Sequence, residues 1–219
     1  MKALKHLCEL YFCMSALLFP LNTLSQVREV TTEEFSFRIE RSGEATLIKA
    51  QPTPGYLNFV KDVCTIPETV EVDGQTHSVT RIADDAFKWS AVKKIIVPAC
   101  IKDIGKNAFQ SSLLSEIELP ESPLTLNTEA FRGSRIKELR IPAQTKLEYT
   151  EFQGCLPETP QLQNILVEEG HPDLMDVDGV LCTKDGCLLA YPSARTGTYV
   201  TRILRHQLSI TTYQCEVEQ

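Results

Sequence analysis

Three six-residue segments return at one fixed interval along this chain: Ile82–Phe87 (IADDAF), Ile104–Phe109 (IGKNAF) and Leu126–Phe131 (LNTEAF). The interval is 22 residues each time. A period of that size belongs to repeat architectures, in which each unit is too small to bury its own apolar face and must stack on its neighbours. The constraint moves function away from an enclosed pocket and onto an extended surface.

More than the Ala-Phe pair recurs. Three residues past each Phe stands a serine: Ser90, Ser112 and Ser134. Apolar residues follow at five (Val92, Leu114, Ile136), eight (Ile95, Ile117, Leu139) and ten (Val97, Leu119, Ile141) residues past the Phe, and each of the last three precedes a proline. Spacings eight and ten share the strand period, so both side chains point to one face, and the proline ends the strand because it has no N–H to donate. A fourth, irregular unit runs through Leu147 and Phe152. After a five-residue insertion with Pro157 and Pro160, it recovers the apolar spacing at Leu162, Ile165 and Val167. Phe87, Phe109, Phe131 and Phe152, one per turn among apolar neighbours, are expected to form a stacked core ladder rather than a ligand-binding stripe.

These units resemble the BspA-like leucine-rich repeats of bacterial and protist surface antigens, whose consensus runs roughly as strand, Ile-Pro, then Ile-Gly-x-x-Ala-Phe. The lead-in from Cys64 to Phe87, with its turn at Asp73-Gly74, and the segment from Val177 to Tyr199 are similar to that family as well. The resemblance covers about residues 60 to 200 and is specific for fold. It implies a mainly β leucine-rich repeat solenoid with short helical turns, a β-rich N-terminal cap and an inserted β-hairpin. The expected organisation is a signal peptide over 1–25, a cap over 26–75 with strands FSFRIE and ATLIKA about Ser42-Gly43, and repeats over 76–176. The hairpin over 177–199 and a degenerate or truncated repeat over 200–219 complete it.

The leader is read from Lys2 and Lys5, the mostly apolar stretch Leu10–Leu24 and the small residues Thr23 to Ser25. Secretion, or exposure at a cell surface, is the expected location, and no later stretch is long enough for a spanning helix. At the other end, Val200-Thr201-Arg202-Ile203 repeats Val79-Thr80-Arg81-Ile82, but no Ala-Phe or strand-Pro follows. Two readings stand: an irregular cap, or a sequence that leaves its ancestral frame near Ile203.

The formal net charge is −7 and there is no basic stripe, which disfavours nucleic acid or anionic lipid as partner. No HExxH, Gly-x-Ser-x-Gly or phosphate-binding glycine loop is present, and His77, His171 and His206 sit in no catalytic arrangement, so an enzyme is not expected. The segment Asp173–Gly179 (DLMDVDG) resembles a calcium loop in outline, yet Leu174 and Asp185 fall where an acceptor and a Glu are required. Neither a metal site nor a cofactor is therefore assigned. Cys64, Cys100, Cys155, Cys182, Cys187 and Cys215 follow the leader at irregular spacings. Cys182 and Cys187 flank Thr-Lys-Asp-Gly, a hairpin turn, and form a candidate disulfide pair across it, with unpaired strand residues as the default reading.

If the residues eight and ten past each Phe point inward, those at seven and nine point outward. That exposes Lys94 and Ile96, Glu116 and Glu118, Glu138 and Arg140, then Asn164 and Leu166, as candidate ligand contacts. The resemblance implies non-catalytic recognition of an extracellular protein, as in adhesion to host matrix or neighbouring cells. A glycan-binding accessory protein and a structural fragment of a longer surface protein are the competing readings.

Overall fold

The computed structural model describes residues 27–55, 58–148 and 158–195. The expected leader, Phe152, Cys155, the last residues of the hairpin (196–199) and the tail from residue 200 lie outside the described residues.

The chain opens with three antiparallel strands, β1 (Arg28–Thr31), β2 (Phe35–Ile39) and β3 (Ala45–Ala50). β2 and β3 turn about Gly43, whose φ of 85° suits glycine. After β4 (Val60–Thr65), β5 (Thr69–Val72) and β6 (Gln75–Ile82) form a hairpin. Its turn residues Asp73 and Gly74 both have positive φ, 51° and 76°, the conformation that matches strand twist in a two-residue turn.

From there each coil adds two short parallel strands. β7 (Ala91–Ile96), β8 (Asp103–Ile104), β9 (Glu116–Glu118), β10 (Leu124–Asn127), β11 (Glu138–Ile141), β12 (Thr145–Glu148) and β13 (Asn164–Val167) follow in order. One ladder runs β3-β6-β8-β10-β12; the other consists of β4-β7-β9 and, separately, β11-β13. In register, Ile82 stands beside Ile104 and Ile95 beside Ile117, so one step of the stack equals one sequence period. Both ladders reach back before residue 75, since β3 pairs with β6 and β4 with β7. The N-terminal segment is thus hydrogen-bonded into the stack. At the far end β14 (Leu174–Val177), β15 (Val180–Thr183) and β16 (Leu188–Ala190) form an antiparallel sheet that begins three residues before the expected hairpin.

The recurrent residues now have physical jobs. Phe87, Phe109 and Phe131 are buried, with ring centroids 5.5 Å and 5.6 Å apart, and the last two rings lie within 8° of parallel. Phe35 and Phe59 close the near end of this ladder against Phe87, at 6.1 Å and 5.9 Å. The Ala-Phe pair recurs because the Phe87 N–H donates to the Ala108 carbonyl (2.7 Å) and the Phe109 N–H to the Ala130 carbonyl (2.8 Å), joining coil to coil. Each serine three residues on is buried, and its N–H returns to the Phe carbonyl, closing the turn. The segment Thr128–Phe131 is a 3-10 turn capped by the Asn127 side chain; the two earlier Ala-Phe segments are plain turns. Two residues past each Phe the backbone is left-handed: Trp89, Ser111 and Gly133 have φ of 59°, 54° and 67°. Glycine adopts that conformation freely, whereas a residue with a β-carbon loses about 1–2 kcal/mol there.

Candidate functional site on the strand face

Along β11 the alternation is clean: Leu139 and Ile141 are buried, Glu138 and Arg140 exposed. Strand register places Lys94 beside Glu116, Ile96 beside Glu118, Glu138 beside Asn164 and Arg140 beside Leu166. The register thus brings the eight candidate contact residues together as two blocks of four, one on β7 and β9 and one on β11 and β13. Glu116, Glu118, Glu138 and Arg140 are exposed, while Lys94, Ile96, Asn164 and Leu166 are half-buried.

The charges on this surface are mostly spoken for. Lys94 Nζ lies 2.5 Å from Glu118 Oε1 and 3.8 Å from Glu116 Oε2, and its hydrogen bond to Glu118 raises the ammonium pKa. Arg140 pairs with Glu138 on its own strand at 3.0 Å. Lys93 reaches Asp62 across the neighbouring strand at 2.7 Å. Such exposed pairs add little stability, but they hold long side chains in set positions.

Between the two blocks the ladder is broken. β9 and β11 do not pair as strands; one backbone bond, Arg135 N–H to the Leu114 carbonyl at 2.9 Å, joins the coils just ahead of them. Continuing the 22-residue step would set Glu138 beside Glu116, which is repulsive, and Arg140 beside Glu118, which is attractive, so charge alone does not account for the break. At the break an open cleft of about 480 Å³ reaches between the coils. Its apolar wall includes Ile117, Leu119, Ile141, Leu166 and Val167, and Glu118, Arg140 and Glu168 stand at its polar edge. Of the eight expected residues, Glu118, Arg140 and Leu166 line it. The apolar spacing points Ile117, Leu119 and Val167 towards the core. They pack against the core but stay half-buried where the cleft reaches them.

Other sequence candidates have structural roles. His171 is buried; its Nδ1 accepts from the Asp173 and Leu174 N–H groups, so Nε2 carries the proton and donates to the Thr145 carbonyl at 2.8 Å. In the DLMDVDG segment, Asp176 accepts from the Val167 N–H at 2.8 Å, and Asp178-Gly179 forms the β14–β15 turn. Cys182 stands opposite Leu188, not Cys187, and both thiols are free, as are Cys64 and Cys100. Burial pushes the Cys64 thiol up to about 12 and raises that of Cys182. Among the described residues no group of three or more His, Cys, Asp or Glu side chains is placed to hold a metal ion, and no helix is long and apolar enough to cross a membrane.

Residues 65–158 match the model for the BspA type Leucine rich repeat region, in six copies. The repeats are BspA-like leucine-rich repeats. A leucine-rich repeat protein from Bacteroides capillosus is similar in structure, with a TM-score of 0.54 and 27% identity over 64% of this chain and 98% of that one. The pneumococcal vaccine antigen PcpA is similar in fold, with a TM-score of 0.52 and 20% identity over 77% of this chain. This chain spans 57% of the PcpA chain. No curated protein matches at a significant level. The BspA-like match carries with it the general role of leucine-rich repeats as protein-interaction surfaces.

Proposed function

We propose that this is a secreted or surface-exposed, non-catalytic recognition protein that binds an extracellular protein through the strand face, in adhesion to host or neighbouring cells. The observation that carries the reading is the cleft at the ladder break. There apolar side chains of stacked coils stay accessible along a cleft beside paired charges. A partner would seat an apolar side chain against Ile117, Leu119 and Leu166 and meet Arg140 and Glu118 at the edge. Buried apolar anchors inside a polar rim are the usual source of interface energy, and a rigid sheet limits the ordering entropy of association. The similarity to a vaccine antigen supports action outside the cell.

The test is surface plasmon resonance of the full chain against extracellular matrix and mucosal proteins, followed by Arg140→Glu and Leu166→Asp. Both variants should keep the wild-type melting profile and bind the selected partner about tenfold more weakly or worse, the loss expected of a contact at an anchor. Wild-type affinity in both would remove the strand face from consideration.

A further inference from the structure

A second cleft, of about 460 Å³, lies at the opposite end of the stack, where the N-terminal strands meet the first Ala-Phe turn. Trp89 lines it, together with Lys49, Asn58, Asp84, Asp85 and Lys88. Trp89 is the one tryptophan of the chain. It is 63% exposed, at a position where a large aromatic side chain has no packing reason to be.

The backbone makes this choice more unusual. Trp89 has a φ of 59°, and the equivalent positions of the next two coils carry Ser111 and Gly133 in the same conformation. A bulky side chain is rare in that region of backbone space, and such outliers gather at ligand sites. The repeat itself does not ask for tryptophan: the Trp89 N–H bond to the Gln110 carbonyl (2.9 Å) and the Ser111 N–H bond to Arg132 (2.8 Å) are the same contact made by different residues.

The indole is also held in place. Lys88 Nζ lies 5.0 Å from the ring centroid and 3.0 Å from Asp85 Oδ1, so an anchored cation sits over the ring. Asp84 is anchored too, its Oδ1 accepting from the Lys106 N–H at 3.0 Å. One oxygen of each carboxylate is thereby engaged, and the other has no protein partner among the described residues.

We propose that this cleft is a saccharide-binding site for neutral pyranose units, with Trp89 as the stacking platform. The ring offers an apolar face to the C–H face of a sugar, and Asp84, Asp85, Asn58 and Lys49 offer acceptors and donors to its hydroxyls. The charge pattern selects the neutral ligand. Lys49 and Lys88 balance Asp84 and Asp85 in the lining, so the cleft carries no net charge to draw an ion. A ligand rich in hydroxyl groups and without charge suits such a lining. The site is separate from the strand-face cleft and does not depend on that reading.

Because the chain has a single tryptophan, its emission, excited to the red of tyrosine, reports on this site alone. Full-length protein is titrated with neutral oligosaccharides of glucose, galactose, mannose and N-acetylglucosamine, and in parallel with acidic and basic peptides. The proposal expects a saturable blue shift with at least one neutral saccharide at millimolar concentration or below. Calorimetry on Trp89→Gly should then show binding weakened by about tenfold or more, the loss of an aromatic platform, with a melting temperature at or above wild type. Trp89→Ser, which copies the second coil, serves if the glycine variant does not fold. The absence of any saturable shift with saccharides overturns the proposal, as does a shift with peptides alone. Unchanged saccharide affinity in Trp89→Gly overturns it too. Arg140→Glu and Leu166→Asp should leave the indole response untouched, which keeps the two sites distinguishable.

Discussion

Gly105 stands where the first coil has Ala83 and the third has Asn127, and its φ lies outside the left-handed range that would demand glycine. By backbone preference alone, Gly105→Ala should stabilise the fold by about 0.4–1 kcal/mol, through the unfolded chain. Packing argues the other way. A β-carbon on residue 105 would lie 2.2 Å from Asp84 Oδ1, 2.7 Å from the Asp84 nitrogen and 2.9 Å from the Ala83 carbonyl carbon. The Asp84 side chain crosses this spot to receive the Lys106 N–H, so the first collision can be relieved by sacrificing that exposed bond, at about 0.5–1.5 kcal/mol. The two backbone collisions remain and force the coils apart, a strain of about 1–3 kcal/mol. Packing wins, and the net expectation is a destabilisation of about 0.5–4 kcal/mol. Urea unfolding followed by far-ultraviolet circular dichroism should show a lower midpoint with an unchanged slope. The double variant Asp84→Ala/Gly105→Ala separates the terms: it removes the side-chain collision but should stay destabilised relative to Asp84→Ala alone. A Gly105→Ala protein as stable as wild type would refute the close approach of these coils.

Phe109 is buried between the rings of Phe87 and Phe131, and Phe109→Ala should lose about 3–5 kcal/mol. Val63, half exposed on β4, should tolerate Ala within about 0.5 kcal/mol; equal melting curves for the two variants would contradict the ladder. Among the described cysteines, thiol labelling at mildly alkaline pH should modify exposed Cys187 before the others and leave buried Cys64 intact until the chain unfolds. Burial raises the Cys64 thiol from its ordinary 9.0 to about 12, so the folded chain holds that proton more tightly than the unfolded one. The associated stability is complete below pH 9.0 and declines towards pH 12, by up to about 1.4 kcal/mol per pH unit. Rapid labelling of Cys64 in the native protein would show that the residue is not sealed in the stack.

Much of this architecture was legible in the chain because repetition turns a long-range pairing problem into a local one. Once Phe87 and Phe109 are equivalent, the 22-residue step that joins Ile82 to Ile104 and Ile95 to Ile117 follows without further information. The same periodicity sets Lys94 beside Glu116 on one pair of strands and points Glu138 and Arg140 outward on the next. It also set Ile117, Leu119 and Val167 against the core, where they pack but stay only half-buried. How far Ile117 and Leu119 are covered depends on whether β9 and β11 pair, which the period does not reveal.

Trp89 marks the other boundary of sequence reasoning. One tryptophan in a chain poor in aromatic residues counts against stacking ligands when only composition is known. Exposure, a left-handed backbone and an adjoining cleft are properties of position, and they reverse that inference. The sequence by itself determined the coil length, the residues that stack and the alternation of inward and outward side chains, because these follow from local period and from the need of each small unit for a neighbour. Tertiary structure alone decided where the stack opens. A cleft is a failure of two distant segments to meet, and neither segment carries that fact in its own residues.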